Sequence, residues 1–186
     1  MGNTWFTRAE TRADIPAIRE TTLAAFGRAR EADLVEELRA DETAWLPGLS
    51  LVVTENNGDD GDDGDSDSDG DGGRVVGHIL LTRGHIGDTA ALCLGPVSVR
   101  PERQRDGVGS AAVRAALAAA AGRGERYVVL VGHPAYYPRF GFTRASAYGI
   151  SISVDAPDDA VMALALDEAA HPLPAGLIRW PAAFGI

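Results

Sequence analysis

Lysine is absent from the 186 residues, and all 17 cationic side chains are arginine. With no lysine to reach nucleotide phosphates, a P-loop ATPase is excluded. Cysteine is nearly absent as well, and the single thiol, Cys93, has no partner for an intrachain disulfide. Positive charge is in deficit: 17 arginines stand against 27 carboxylates, a formal charge of −10. Such a chain lacks the cationic surface that displaces counterions from nucleic acid, and anionic membranes are disfavoured for the same reason. No stretch reaches the ~20 apolar residues that a membrane helix needs. Met1 to Phe6 shows no basic region leading into an apolar run, so the expectation is a cytoplasmic protein. The histidines His78, His85, His133 and His171 are scattered and offer no metal-ligand spacing with Cys93, so no metal is expected.

What is present supports a packed domain. Hydrophobic residues make up 45% of a chain whose length fits one domain, expected to span 1–186. Much of the acidity is local: residues 58–73 hold eight Asp, six Gly and two Ser, and without them the balance is 17 minus 19, or −2. Adjacent carboxylates repel and nothing there can pack. The stretch is therefore expected to be a disordered acidic loop inserted in a hairpin, between strand-like runs at Leu49–Thr54 and Val75–Leu81. Asp65-x-Asp67-x-Asp69-Gly70 copies the start of a calcium loop, but its twelfth position is Val76 instead of a bidentate Glu. The solvated reading is preferred.

Along the chain, Trp5–Ala9 reads as a short strand. Asp14 stands where it can cap a helix carrying Ile15, Ile18, Thr22, Ala25 and Phe26 at helical spacing. A second amphipathic helix is expected over Arg30–Arg39, with Leu34, Val35 and Leu38 on one face. Ala90–Val99 is too continuously apolar to have a wet face and reads as a central strand, broken or bulged at Gly95-Pro96. An alanine-rich helix follows over Ser110–Gly122, then a buried strand over Tyr127–Val131. Ala135–Phe140 reads as a short helix or turn, Phe142–Val154 and Val161–Leu166 as strand-like, and the segment from Gly176 as a last strand. The strand–helix–strand order from Ala90 to Val131 is a parallel unit, and the hairpins around it make the sheet mixed.

The chemistry-bearing segment joins the central strand to the alanine-rich helix. Gly107 and Gly109 at the helix start leave main-chain N–H groups unobstructed, and the unpaired donors and dipole of that terminus favour an anion. Arg105 adds formal charge. Taken alone, this Gly-x-Gly reads equally well as a tight strand-to-helix turn.

The combination is more specific. Gln104-x-x-Gly107-x-Gly109 after an apolar strand, followed by helix, strand and Tyr137-Pro-Arg-Phe-Gly141-Phe142, resembles the GNAT superfamily of acyl-CoA-dependent N-acetyltransferases over most of the chain. Gly95-Pro-Val-Ser-Val, Gly132-His-Pro-Ala-Tyr136-Tyr137 and Pro157-Asp-Asp-Ala-Val-Met-Ala-Leu are similar to a narrower, uncharacterised bacterial and archaeal branch. The resemblance implies an α/β acyl-CoA N-acyltransferase fold: a mixed, mostly antiparallel central sheet flanked by helices, with a splayed parallel strand pair. It implies acetyl-CoA as co-substrate and a primary amine of a small molecule or peptide as acceptor, attacking directly. Val97, Ser98 and Val99 are implied as backbone contacts to pantetheine and the acyl carbonyl. Gln104, Arg105, Asp106, Gly107, Val108, Gly109 and Ser110 are implied as the pyrophosphate cradle. Asp106 departs from the usual basic residue of that cradle and places a carboxylate near phosphate.

Tyr137 matches by position the tyrosine that protonates the departing thiolate and is preferred for that role; Tyr136 beside it is the alternative, and the competing reading is that both rings only fill the core. No carboxylate lies on Ala90–Val99 to serve as a strand-borne base, which leaves a water relay or His133 at the end of the Tyr127–Val131 strand. Cys93 reads as a buried small hydrophobe, and Glu36 and Glu37 as a wet helix face or part of an acceptor pocket. A module that binds acyl-CoA without turning it over is the alternative to an enzyme. The apolar tail Leu177–Phe184 could pack on its own sheet or form a homodimer contact. A lysine-free acidic surface fits a high-salt cytoplasm, where ions screen carboxylate repulsion. The melting temperature is expected to rise as KCl approaches molar concentrations; a fall across that series would contradict a halophilic habitat.

Overall fold

The structure is a computed structural model that describes residues 5–55 and 73–186. The acidic stretch 58–73, apart from Gly73, and the calcium-like spacing lie outside the described residues. Strand β1 (Phe6–Ala9) leads to helices α1 (Ile15–Phe26) and α2 (Arg30–Ala40). Strands β2 (Ser50–Glu55), β3 (Arg74–Ile86) and β4 (Thr89–Val99) follow, then helix α3 (Val108–Gly122) and strand β5 (Tyr127–Val131). The chain closes with β6 (Thr143–Arg144), β7 (Ile150–Ser151), β8 (Val161–Ala165) and β9 (Gly176–Arg179).

The strand order is β1-β2-β3-β4-β5-β8-β6, with β9 attached to β3 and β7. Pairing is antiparallel from β1 to β4 and parallel between β4 and β5. The expected mixed sheet with one parallel pair in its main path is therefore present. On one face, α3 lays Val108, Ala112, Val113, Ala116 and Ala120 against Leu51, Val53, Ile79, Leu92 and Val128. Alanines at these positions bring the helix backbone close to the sheet, and Gly77 beneath it has no room for a side chain: a Cβ there would lie 2.6 Å from Val108 Cγ1. On the other face, Ile18 of α1 with Val35 and Leu38 of α2 cover Val52, Val75 and Leu80. Each large aliphatic side chain so enclosed contributes about 1.5–3 kcal/mol relative to exposure.

Two expectations are corrected. Asp14 does not cap α1 with its side chain. Its carboxylate turns back to accept from the Thr11 amide at 2.7 Å and from Arg8 Nη1 at 2.6 Å, because a guanidinium on β1 outcompetes the helix terminus. The run Phe142–Val154 is not one strand. A 3-10 turn over Ala145–Tyr148 and Gly149 at φ 71 reverse it, so that β6 joins β8 while β7 joins β9. The C-terminal segment packs on its own sheet, with Ile86 opposite Ile178 and His85 opposite Arg179. Among the described residues, no helix is long and apolar enough to cross a membrane.

A polar cluster ties the first residues to the sheet. Glu10 receives Arg39 Nε at 2.9 Å and Nη2 at 3.1 Å and the hydroxyl of Ser50, while the wholly buried His78 places Nε2 2.8 Å from Ser50 Oγ. Burial alone would raise the Glu10 pKa, but His78, Arg39 and Ser50 together outweigh it and hold the carboxyl at about 2. Asp14 is likewise at about 2, chiefly through Arg8. Both folded pKa values lie below the ordinary 4.5 and 3.8, so the stability these groups contribute is complete above those values and is lost as pH falls toward 2. Glu10→Gln is expected to cost about 2 kcal/mol at pH 7. In urea unfolding at a series of pH values, the difference from wild type should narrow toward pH 2; a constant difference would show that the charge of Glu10 is not what matters.

Candidate active site

The site is built where β4 and β5 part. They pair only at Leu92 with Val128 and Cys93 with Val129. Beyond these positions β5 stays with β8, Leu130 opposite Met162 and Val131 opposite Val161, whereas β4 stays with β3 up to Val99. The divergence coincides with Gly95-Pro96. Leu94 faces Leu81 and Val97 faces Ile79, so two residues of β4 stand against Leu80 alone. This is a β-bulge, which bends the bulged strand, and the proline contributes no N–H to a ladder.

The turn after β4 opens into the same gap. Gln104 Nε2 donates to the Val99 carbonyl at 3.2 Å, and Trp5 Nε1 donates to the Asp106 carbonyl at 2.9 Å, which pins the turn from both ends. Arg105 has φ 68 and Gly107 φ 91, the left-handed region that costs a residue with a side chain about 1–2 kcal/mol. Gly107 precedes α3 without a side-chain cap. The first bond of the α3 ladder runs from the Ala111 amide to the Gly107 carbonyl at 2.9 Å, so the amides just before it lie at the open start of the helix. A cavity of about 840 Å³ adjoins this turn and is lined by Val97, Val99, Gln104, Arg105, Gly107, Gly109 and Ser110 among others. Ser98, Asp106 and Val108 do not line it. Ser98 is buried on the opposite side of β4, donating to Thr22 Oγ1 at 3.1 Å, and Val108 is core. Asp106 is exposed and acts electrostatically on Arg103.

The loop after β5 supplies the aromatic pair. A 3-10 turn over Tyr137–Phe140 sets Tyr136 and Tyr137 edge to face, their centroids 5.1 Å apart. The Tyr136 hydroxyl stands 3.4 Å from Ser110 Oγ, beside the start of α3. The Tyr137 ring lies against Gly132 and packs on Phe142 at 5.8 Å. Burial, with a smaller contribution from Tyr136, pushes the Tyr137 phenol up to about 12, so it remains a proton donor throughout the neutral range. His133 is exposed at the same mouth, and its carbonyl accepts from the Tyr136 amide at 3.0 Å. Cys93 is buried beneath Gly84, and burial pushes its thiol up to about 12, which removes it as a nucleophile.

A second cavity of about 710 Å³ continues the first, and the two share Phe26, Val97, His133, Tyr136, Tyr137 and Arg139. Neither Glu36 nor Glu37 lines it; Glu36 pairs with Arg19 at 2.9 Å, and the carboxylate that does line it is Glu31. The sequence reading also missed Phe26, Arg139, Trp180 and Phe184 at this mouth, and the place of Gly132 beneath Tyr137. A glycine directly after a buried strand and aromatics four apart in the tail were the available signals.

Such a gapped parallel pair, with a free helix start and a tyrosine at its mouth, is the architecture of the acyl-CoA N-acyltransferase fold. Comparison with known proteins agrees. The family model of the acetyltransferase (GNAT) domain matches residues 65–144. A GNAT family acetyltransferase from Brucella melitensis, solved in complex with acetyl-CoA, is 32% identical with a TM-score of 0.72, covering 98% of this chain and 99% of that one. YhbS of Escherichia coli, solved in complex with CoA, has a TM-score of 0.83 at 23% identity, covering 100% of this chain and 94% of that one. The uncharacterized N-acetyltransferase YjhQ of Escherichia coli K12 is 36% identical over 135 residues; the match spans 70% of this chain and 65% of that relative's length. The chain belongs to the GNAT superfamily of acetyltransferases.

The contact between Gly132 and Tyr137 can be measured. A Cβ at position 132 would lie 2.4 Å from Tyr137 Cε2 and 3.0 Å from Cδ2. Gly132→Ala is expected to cost about 1–3 kcal/mol in denaturant unfolding, and much less in a Tyr137→Ala background. Equal costs in both backgrounds would show that the ring does not rest there.

Proposed function

We propose that this protein is an N-acetyltransferase that moves an acetyl group from acetyl-CoA to a primary amine by direct attack. The observation that carries the reading is the conjunction at one gap: two strands that part after two paired positions, the uncapped start of α3, and a tyrosine whose phenol stays protonated. Relatives solved with CoA and acetyl-CoA bound support the same donor here. In this reading the amides of the Arg105–Ser110 turn receive the pyrophosphate, with Arg105 adding charge. The freed edge of β4 at Val97–Val99 hydrogen-bonds the pantetheine arm as an added strand would. Gln104 acts indirectly, by holding the turn onto Val99.

The amine nitrogen attacks the thioester carbonyl carbon, and main-chain N–H groups of the β4 edge receive the developing oxyanion. The carbon–sulfur bond then breaks, and Tyr137 gives its proton to the thiolate, leaving an N-acetyl amide and free CoA. A phenol at about 12 is a poor acid toward a hydrated thiolate, but burial raises the basicity of a thiolate in the same way, as Cys93 at about 12 illustrates within this chain. The proton lost by the amine leaves through His133 or through water at the exposed mouth, and a proton returned from the same water restores the Tyr137 phenol. The described residues are read as one catalytic domain, and the single buried thiol fits a cytoplasmic setting.

A module that holds acyl-CoA without turnover is the second reading. It draws on one feature: the one acidic side chain that lines the second cavity among the described residues, Glu31, is engaged by Arg28. Tyr137→Phe separates the two. An enzyme is expected to lose about a hundredfold in kcat with CoA affinity kept within about twofold. Thiol release measured alongside calorimetric CoA binding reads both quantities. If the wild type binds acetyl-CoA but releases no thiol above the uncatalysed rate with any amine, the module reading stands and the transferase reading falls.

A further inference from the structure

The second cavity lies across the tyrosine pair from the Gln104–Ser110 turn, and its walls restrict what can occupy it. Resting on the transferase reading, we propose that the acceptor is a monoamine whose amino group is carried on an apolar body of aryl-alkyl size, with no second cationic group.

The walls are apolar on three sides. Phe26 and Leu34 come from the two N-terminal helices, Trp180 and Phe184 from the C-terminal segment, and Pro96 and Val131 from the parted strands. Trp180 and Phe184 support each other at 5.4 Å between ring centroids. The volume of about 710 Å³ exceeds several times the roughly 150 Å³ cavity that accommodates one benzene ring. It can therefore take a ring and its linker.

The charges disfavour a polycation. Among the described residues Glu31 is the one acidic side chain in the lining, and Arg28 holds it through Nε at 3.0 and 3.1 Å from its two oxygens. Its charge is thus already balanced in part by Arg28, which weakens its pull on a second ammonium. Arg139, also in the lining, has no carboxylate partner among the described residues; its guanidinium lies 4.5 Å from the Tyr136 ring centroid, with Nε on the Tyr136 carbonyl at 2.8 Å. Its charge repels polyamines and multiply charged aminosugars. The same apolar surroundings disfavour the ammonium form of a bound amine and so deliver the neutral nucleophile. That compensates for a central strand with no carboxylate to act as base.

Trp180, Phe184, Leu34 and Ile186 line this cavity and not the one beside the Gln104–Ser110 turn, which makes them specificity-determining positions separable from CoA binding. The test uses the full chain with acetyl-CoA, reading thiol release with phenethylamine, methylamine, glucosamine and spermidine. Phenethylamine is expected to exceed methylamine by at least about a hundredfold in kcat/KM, with glucosamine and spermidine no better than methylamine. Leu34→Asp, and Ile186→Asp at an exposed position that does not threaten folding, are each expected to raise the phenethylamine KM at least about tenfold. The CoA dissociation constant should be unchanged in both. A preference for spermidine or glucosamine, or equal rates with all four amines, would overturn the acceptor class while leaving the transferase reading intact. Thiol release with none of the amines, despite CoA binding, would defeat both.

Discussion

Two paired positions are all that β4 and β5 share, and the cleft depends on that economy. Parallel strands that continue side by side satisfy each other's main-chain groups; strands that part leave those groups to water or to a ligand, at about 1–3 kcal/mol for each left dry. The gap persists because neither strand relies on the other for its place. β4 is held by β3 through nine register pairs and β5 by β8 through five. The extra residue at Gly95-Pro96 then bends β4 within its pairing to β3. The Arg105–Ser110 turn and the Tyr136–Tyr137 turn are the connections leaving these two strands, so both are delivered to the same mouth.

Charge is distributed to suit this cleft. Several arginines bind carboxylates across elements: Arg83 with Glu125, Arg100 with Glu20, Arg103 with Glu55 and Arg39 with Glu10. Pairs of this kind, partly exposed, contribute little individually, about 0–1 kcal/mol. They do consume carboxylates that would otherwise oppose an anionic ligand. Arg105 and Arg139, which line the cleft, have no such partner among the described residues. An acidic protein can thus present a locally cationic mouth.

Much of the architecture was readable in advance. The amphipathic spacing of α1 and α2, the alanine run of α3 and the apolar continuity of β4 and β5 are local patterns with one structural solution each. Gly107 and Gly109 were legible because the freedom of main-chain donors at a helix start is a property of the few residues around it. Asp14 was misread because its competitor, Arg8, reaches it from a neighbouring strand. The segment Phe142–Val154 was misread because its β-rich composition conceals a reversal at Gly149, which serves two different strand partners. The relative placement of Tyr136 and Tyr137 also lay beyond the sequence, since it depends on what Gly132 and Ser110 leave free.

By itself the sequence determined the order of elements, the mixed sheet and the chemistry of the turn after β4, because periodicity, glycine placement and helix polarity act over a few residues. The tertiary structure alone decided the second cavity. Its walls come from residue 26 in α1, 34 in α2, 94–97 in β4, 131 at the end of β5, 132–139 after it, and 180–186 in the tail. No local rule links positions so far apart in the chain. Only the packing of α1 and α2 on one face of the sheet, and of the tail against β3, brings them to one place.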